Sequence, residues 1–574
     1  MIAFSRHPED APSAALQTWS YASVLTLLFL TGTLCVALPF WGDQALFAIY
    51  ARQLTEGAVL YRDVFDVKQP GIFWFYEVGG LLFGFTEIGI HAFELLYWFF
   101  FVLFVPAAFR RYFTAVWAPF CVPVFTVVVY YLYAGVLDLT QVEILVAFPL
   151  TVTWWLLATA KPQMRSGLAR YAAAGLATAL IVLLKHLYVL IVLAFLGYSV
   201  RQSYRRGVQH PDILRCVVAF SFGLGVPLTV VIAYFASHGQ LGRMWWAYFE
   251  MSAAAQLLFP RPLSHIVGGA RRFLIGHGAI VSLAVVAALH EFLQGPTRRR
   301  DLVAGMLLWV AAGALAFFVL QGWPEYKWPL FTVPIGILGV IGLEIVAGWT
   351  RSWGRPRTWA GLSVGLVCGA MTFVVGFEQP PIQTRLLGWI AIAVVAAAGT
   401  AVLQARPRIQ RALLALLLVA LPALVALALI WPVTKARGLA TYDFAVTSTS
   451  RVAYHRSLSH SYAAADHDLE ILRRRSAMPY SLYVFGDPVL LLRANRPQPV
   501  PILGWGPEFL DERAWRELER DLRSSPPTHI VVDPYVESFI LTRRPAVMHW
   551  ILSAYEVAFV GASGTWYETR AGRR

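Results

Sequence analysis

The chain has 574 residues, of which 58% are hydrophobic and only 14% charged, with a formal net charge of +14. A soluble globular chain carries about a quarter charged residues, so an ordinary cytosolic enzyme, a disordered protein and a disulfide scaffold are excluded and an integral membrane protein is implied. Lysine occurs only at Lys68, Lys161, Lys185, Lys327 and Lys435, so the positive excess is written almost wholly in arginine.

Crossing roughly 30 Å of hydrocarbon takes about 20 apolar residues. Such runs lie at 19–40, 90–109, 113–133, 143–160, 214–236, 272–293, 302–321, 329–347, 359–376, 386–403 and 411–431. The stretch 168–200 is too long for one span and carries Lys185-His186 in its middle. It reads as two shorter helices meeting at a polar turn, which makes thirteen spans in all. Residues 71–86 are also apolar, and they decide the topology. If they crossed, Arg110-Arg111, Lys161 with Arg165 and Arg170, Arg201 with Arg205-Arg206, Arg298 to Arg300, Arg351 with Arg355 and Arg357, and Arg406 with Arg408 and Arg411 would fall outside. Placing 71–86 in the outer interface as an amphipathic helix puts all these loops in the cytoplasm, as the positive-inside rule demands. The N-terminus is then cytoplasmic and the C-terminus extracytoplasmic. Arg6 and His7 precede a first span without a small-residue cleavage site, so that span is expected to be a retained anchor. The charge is a topology signal, and no nucleic-acid partner is expected. All four cysteines fall inside expected spans, so no disulfide follows.

After Trp431-Pro432 the composition changes. Ser481–Phe485 and His529–Val532 read as strands, Pro507 to Ser524 as an amphipathic helix, and Tyr555 to Glu568 as a hairpin. A small α/β domain over 433–574 therefore follows a membrane domain over 1–432, whose outer loop 41–89 contains interfacial helices. His455, His460 and His467, with Asp466 and Asp468, match no standard zinc spacing and read as solvated loop residues. The aromatic cluster Trp245-Trp246 with Tyr248-Phe249 reads as an interfacial belt.

The chemistry-bearing residues lie in the outer loops. Asp43 stands directly beyond the first span and opens a helical stretch, where a helix N-terminus favours a carboxylate. It is a cap or a catalytic group. Arg62, Asp63, Asp66 and Lys68 follow, at the depth of a lipid phosphate, and cations of these types suit phosphate recognition. Asp138 reads as a solvated loop charge, whereas Glu143 starts the next span, where an ionisable group is costly without a purpose. Lys185 and His186 sit at the polar turn, His265 in the loop 237–271, and Tyr326 and Lys327 in the loop 322–328. Three of the five lysines are thus placed on one side of the membrane.

The order span, Asp43, helical stretch, Glu56-Gly57, Tyr61-Arg62-Asp63, Lys68-Gln69-Pro70 resembles the polyprenyl-phosphate-sugar-dependent glycosyltransferases of the GT-C superfamily. Within it, the pattern is most like the bacterial protein-mannosyltransferase-like and aminoarabinose-transferase-like families. Glu143, the run Gly175-Leu-Ala to Lys185, and Gln321 to Pro334 resemble later segments of that pattern. Gln44 stands where those enzymes carry a second acid, and Gln69 where they carry proline. The resemblance implies an α-helical polytopic membrane protein of about thirteen transmembrane helices with a small C-terminal α/β extracytoplasmic domain. It implies an inverting glycosyltransferase of the cytoplasmic (inner) membrane, with a lipid-linked sugar as donor and a glycolipid, glycan or protein as acceptor. Asp43 would be the general base, while Lys68, with Arg62 or Lys185, would hold the donor phosphate. Glu143, Asp138, Asp63 and Asp66 would meet substrate or a divalent cation (Mg or Mn), and Tyr61, His186, His265, Tyr326 and Lys327 would line the cavity. A polysaccharide polymerase or ligase, and a lipid or sugar transporter, are the alternatives. The transporter must account for Glu94 and Glu344, which fall within expected spans.

Overall fold

The computed structural model describes residues 14–251, 253–254, 262–294, 297–319, 324–349, 438–447, 449–475 and 480–570. The spans expected at 359–376, 386–403 and 411–431 lie outside the described residues.

The other ten expected spans are helices α1 (Ala14–Val36), α4 (Glu87–Phe109), α5 (Ala118–Tyr133), α6 (Val142–Thr159), α7 (Arg165–Lys185), α8 (Val189–Arg205), α9 (His210–Ser237), α10 (Gly278–Leu293), α11 (Arg298–Val319) and α12 (Pro329–Trp349). Among the described residues, seven helical segments are long and apolar enough to cross a membrane, with α5 and α10 as shorter apolar helices. The chain is a multi-pass membrane protein. The long run does break where the charges stand: α7 and α8 meet at a 3-10 turn, His186–Tyr188. Rows of exposed apolar side chains, such as Leu214, Val218, Phe222, Val226 and Val230 on α9, face outward from the bundle, as lipid contact requires. Between lipid-immersed helices close backbone approach replaces hydrophobic drive. A Cβ on Gly175 of α7 would lie 2.0 Å from the Phe220 carbonyl oxygen of α9, so this crossing tolerates only glycine.

Two further helices lie between α1 and α4: α2 (Gly42–Thr55) and α3 (Pro70–Phe83). Pro70 opens α3 and Gly84, at φ +93°, closes it. At about 1.5 Å per residue this helix is about 21 Å long, short of the hydrocarbon thickness. It packs on α2, α4 and α7 and leaves Val78, Leu81, Leu82 and Phe83 exposed, as an interfacial helix would.

The C-terminal region builds α13 (Arg451–Leu458), α14 (His460–Arg475), β1 (Leu482–Phe485), α15 (Val489–Ala494), α16 (Glu512–Ser524), β2 (His529–Val532), α17 (Pro534–Arg543), α18 (Pro545–Ala554), β3 (Tyr555–Val560) and β4 (Thr565–Thr569). The sheet order is β1-β2-β4-β3, with β1 parallel to β2 and the β3–β4 hairpin antiparallel beside it. Asp511 caps α16 by accepting from the Ala514 N–H at 2.8 Å, and Asp533 caps α17 by accepting from the Tyr535 N–H at 2.9 Å.

The histidine and aspartate cluster is a correction. These residues are helical rather than loop, and His455, Asp466 and Asp468 are buried. The His455 ring lies 3.0 Å from the Ala37 carbonyl, Asp466 pairs with Arg456 and Arg493, and Asp468 accepts from the Ala562 and Ser563 N–H groups and the Trp566 indole. A buried carboxylate is tolerated only with such partners, so Asp466 and Asp468 tie the C-terminal region together, while His455 reaches the bundle at Ala37. Tyr462 adds to this: its hydroxyl donates to Glu87 at 2.7 Å and accepts from the Phe40 N–H at 3.1 Å.

Candidate active site

Where the C-terminal region meets α2 and α7, a cavity of about 420 Å³ opens. Its floor carries Asp43, Asp66 and Lys68, its wall Lys185, His186, Tyr326 and Lys327, and its roof Trp505, Glu508 and Phe509. The three lysines singled out in the sequence converge on this one space.

Local structure explains the floor. Gln44, completely buried, accepts from the Trp41 N–H at 2.8 Å and donates to the Leu139 carbonyl at 2.5 Å. That side chain closes the first turn of α2 and ties it to the loop before α6. The residue that departs from the family pattern is therefore structural, while its neighbour Asp43 lines the cavity. The chain then returns through Tyr61, whose φ of +70° is uncommon for a bulky residue and marks a constrained turn. The Tyr61 hydroxyl lies 2.8 Å from the Lys68 carbonyl and 3.1 Å from the Tyr248 hydroxyl, beneath the floor rather than in it. Asp66 accepts from the Lys68 N–H at 2.9 Å, a side-chain turn that aims the following residue.

Lys68 stands between two carboxylates, its Nζ 3.3 Å from Asp43 Oδ1 and 3.7 Å from Asp66 Oδ1. Burial alone would lower the Lys68 pKa, but Asp43 and Asp66 outweigh it and raise it. Asp66 is raised as well, by burial and by the charge of Asp43, against the pull of Lys68. The floor is a compact set of one ammonium and two carboxylates, partly shielded from water.

The wall is held differently. Lys185 Nζ lies 2.6 Å from Glu143, which is 2% exposed, and the Tyr188 hydroxyl donates to the same oxygen at 3.1 Å. Glu143 thus stands behind the cavity lining, closed off by Lys185. Gln69 meets the His186 ring at 2.9 Å and joins floor to wall.

Several expected site residues are elsewhere. Arg62 and Asp63 satisfy each other on an exposed turn at 2.8 Å, and that contact holds the Asp63 carboxyl below the usual carboxylate range. Asp138 accepts from the Gly135 N–H at 2.8 Å and shapes its own turn. His265 is exposed on the helix Leu263–Gly276 and does not line the cavity. Glu94 and Glu344 are both engaged in packing. Glu94 accepts from the Tyr130 hydroxyl at 2.7 Å, and Glu344 binds Arg299 at 2.5 Å together with the Thr114 and Ala115 N–H groups.

Other residues of the site escaped the sequence reading. The aromatic cluster divides: Tyr248 and Phe249 line the cavity, whereas Trp246 is buried against Phe65 and donates to Asp511 at 2.7 Å. Trp505 donates its indole N–H to Asp43 Oδ1 at 2.9 Å across 462 positions of sequence. The one local signal was Gly504-Trp505-Gly506, an aromatic residue set between two glycines in an otherwise apolar loop.

No protein-family model and no curated protein sequence matches the chain. Among solved structures it is similar to ArnT from Cupriavidus metallidurans in the apo state, at 13% identity and a TM-score of 0.53, over 98% of this chain and 99% of that one. It is equally similar to the same protein bound to undecaprenyl phosphate, at 14% identity and a TM-score of 0.53, over 97% and 98% of the two chains. At 13–14% identity, the likeness is one of fold.

Proposed function

We propose that the chain is an integral-membrane glycosyltransferase that moves a sugar from a polyprenyl-phosphate donor to an acceptor on the outer face of the cytoplasmic membrane. The observation that carries this reading is the floor of the cavity, where a carboxylate and an ammonium lie 3.3 Å apart at a bundle end lined by two more lysines. A fold shared with a protein crystallised with undecaprenyl phosphate supports it. In this reading residues 1–432 form the catalytic membrane domain and 433–574 an extracytoplasmic domain, with the N-terminus in the cytoplasm.

The reaction is a direct displacement. The acceptor oxygen bonds to the anomeric carbon from the face opposite the phosphate, and the bond from that carbon to the phosphate oxygen breaks, so the configuration inverts. The acceptor proton passes to Asp43, and the electron pair leaves with the polyprenyl phosphate. Lys68 exchanges its carboxylate partners for the phosphate and stabilises the charge that grows there, an electrostatic role fixed in place before reaction. At the wall the charge of Lys185 is already matched by Glu143, and Lys327 adds positive potential.

A divalent cation does not fit this arrangement. The Lys68 ammonium stands between Asp43 and Asp66, Glu143 is closed by Lys185, and no group of three or more metal-binding side chains occurs among the described residues. No step is routed through a metal. Membranes containing the chain, incubated with radiolabelled undecaprenyl-phosphate sugars, should release undecaprenyl phosphate and move the label to another product, with or without chelator. Labelled donor that stays intact in every sugar form tried would reject the reading.

A further inference from the structure

We propose that Trp505 is a positioning residue for the general base, so that the C-terminal region completes the active site; this rests on the reading of Asp43 as base. Three observations place Trp505 there by construction. Its indole N–H meets Asp43 Oδ1 at 2.9 Å. Its ring packs edge-on against Trp41, the residue that caps the same helix, with centroids 5.4 Å apart. The residue between them, Gly42, has φ +25°, and a Cβ there would lie 2.2 Å from the Trp505 ring. The chain keeps a bare backbone beside its base, and the indole fills the space.

The roof is fastened to the floor at the same place. The Phe65 N–H donates to the Pro501 carbonyl at 2.9 Å and Phe65 pairs with Ile502, one residue before Asp66 and three before Lys68. Gly506, at φ +62°, then turns the chain so that Glu508 and Phe509 also line the cavity. Trp505 is thus placed by the backbone that places the floor.

The consequence lies in which oxygen is used. Lys68 and Trp505 both meet Asp43 at Oδ1. Oδ2 has no hydrogen bond among the described residues and is the oxygen left to take the acceptor proton. When a donor phosphate draws Lys68 away, the indole N–H is the remaining tether on the carboxylate. It holds the plane of the base through the step in which the base acts.

The test uses the full-length chain with radiolabelled undecaprenyl-phosphate sugar as probe, and Trp505→Phe beside a variant carrying benzothienylalanine at position 505. The second keeps the ring and replaces the N–H with sulfur, so it isolates the hydrogen bond if the phenylalanine variant folds poorly. Loss of a hydrogen bond to a charged group should lower kcat by about tenfold to a hundredfold. KM for the donor and the affinity for undecaprenyl phosphate should stay within about twofold, because the phosphate site is untouched. Both variants turning over like the parent would overturn the proposal and leave the glycosyltransferase reading standing. Loss of undecaprenyl-phosphate binding along with kcat in both would overturn it too, by making Trp505 a packing residue. A parent that consumes no donor would refute the glycosyltransferase reading and this proposal with it.

Discussion

The floor and the wall of the cavity each hold a lysine against a carboxylate, and the two pairs are built for different tasks. Lys68 is shared between Asp43 and Asp66 at 3.3 and 3.7 Å. Lys185 is committed to one buried oxygen at 2.6 Å, which it shares with the Tyr188 hydroxyl. A loosely divided ammonium can change partners when a phosphate arrives. One locked to a buried carboxylate cannot leave without exposing that charge to an apolar interior. The comparison assigns chemistry to the floor and architecture to the wall.

The strongest way to break this assignment is Asp43→Asn. Removal of a general base should cut turnover by about 10²- to 10⁴-fold while leaving membrane insertion intact, as measured by initial rates on purified protein. Lys68→Ala comes next. It should reduce kcat/KM for the donor by about 10²- to 10³-fold and weaken undecaprenyl-phosphate binding, without unfolding the bundle. Lys185→Ala should do the reverse in kind. Leaving Glu143 buried and unpaired costs about 3–5 kcal/mol, so thermal stability in detergent should drop, and Glu143→Gln in the same chain should recover much of it. Were Lys185→Ala fully stable but unable to bind donor, floor and wall would be alike. The smallest effects belong to Arg62→Ala and His265→Ala, exposed positions away from the cavity, where activity should change by about twofold or less.

Much of the bundle was legible because a membrane leaves few choices. Apolar length and a broken run at Lys185-His186 follow from the cost of burying polar groups in lipid. The floor was legible from placement: Asp43 stands directly beyond the first span, and Lys68, one of only five lysines, stands just ahead of the interfacial helix. Arg62 and Asp63 misled because adjacency in sequence looked like a cluster, whereas opposite charges side by side can satisfy each other and turn away. His265 misled because a polar residue in a long loop carries no information on which way its helix faces. Asp468 was mistaken for a solvated residue because its three donors come from a hairpin 94 to 98 positions later. The roof was the least legible part. Trp505 reaches Asp43 only because β1 and the loop after it seat the chain against Phe65, and periodicity records nothing of such a docking.

The account stands on Asp43 acting against a lipid-phosphate donor held by Lys68. Its most direct test follows transfer of label from undecaprenyl-phosphate sugar by the parent, Asp43→Asn and Lys68→Ala side by side, with undecaprenyl-phosphate affinity measured on the same preparations. The account predicts that Asp43→Asn binds the lipid phosphate like the parent yet transfers almost no sugar, while Lys68→Ala loses binding and transfer together. Transfer by Asp43→Asn at a rate within a few-fold of the parent would contradict it.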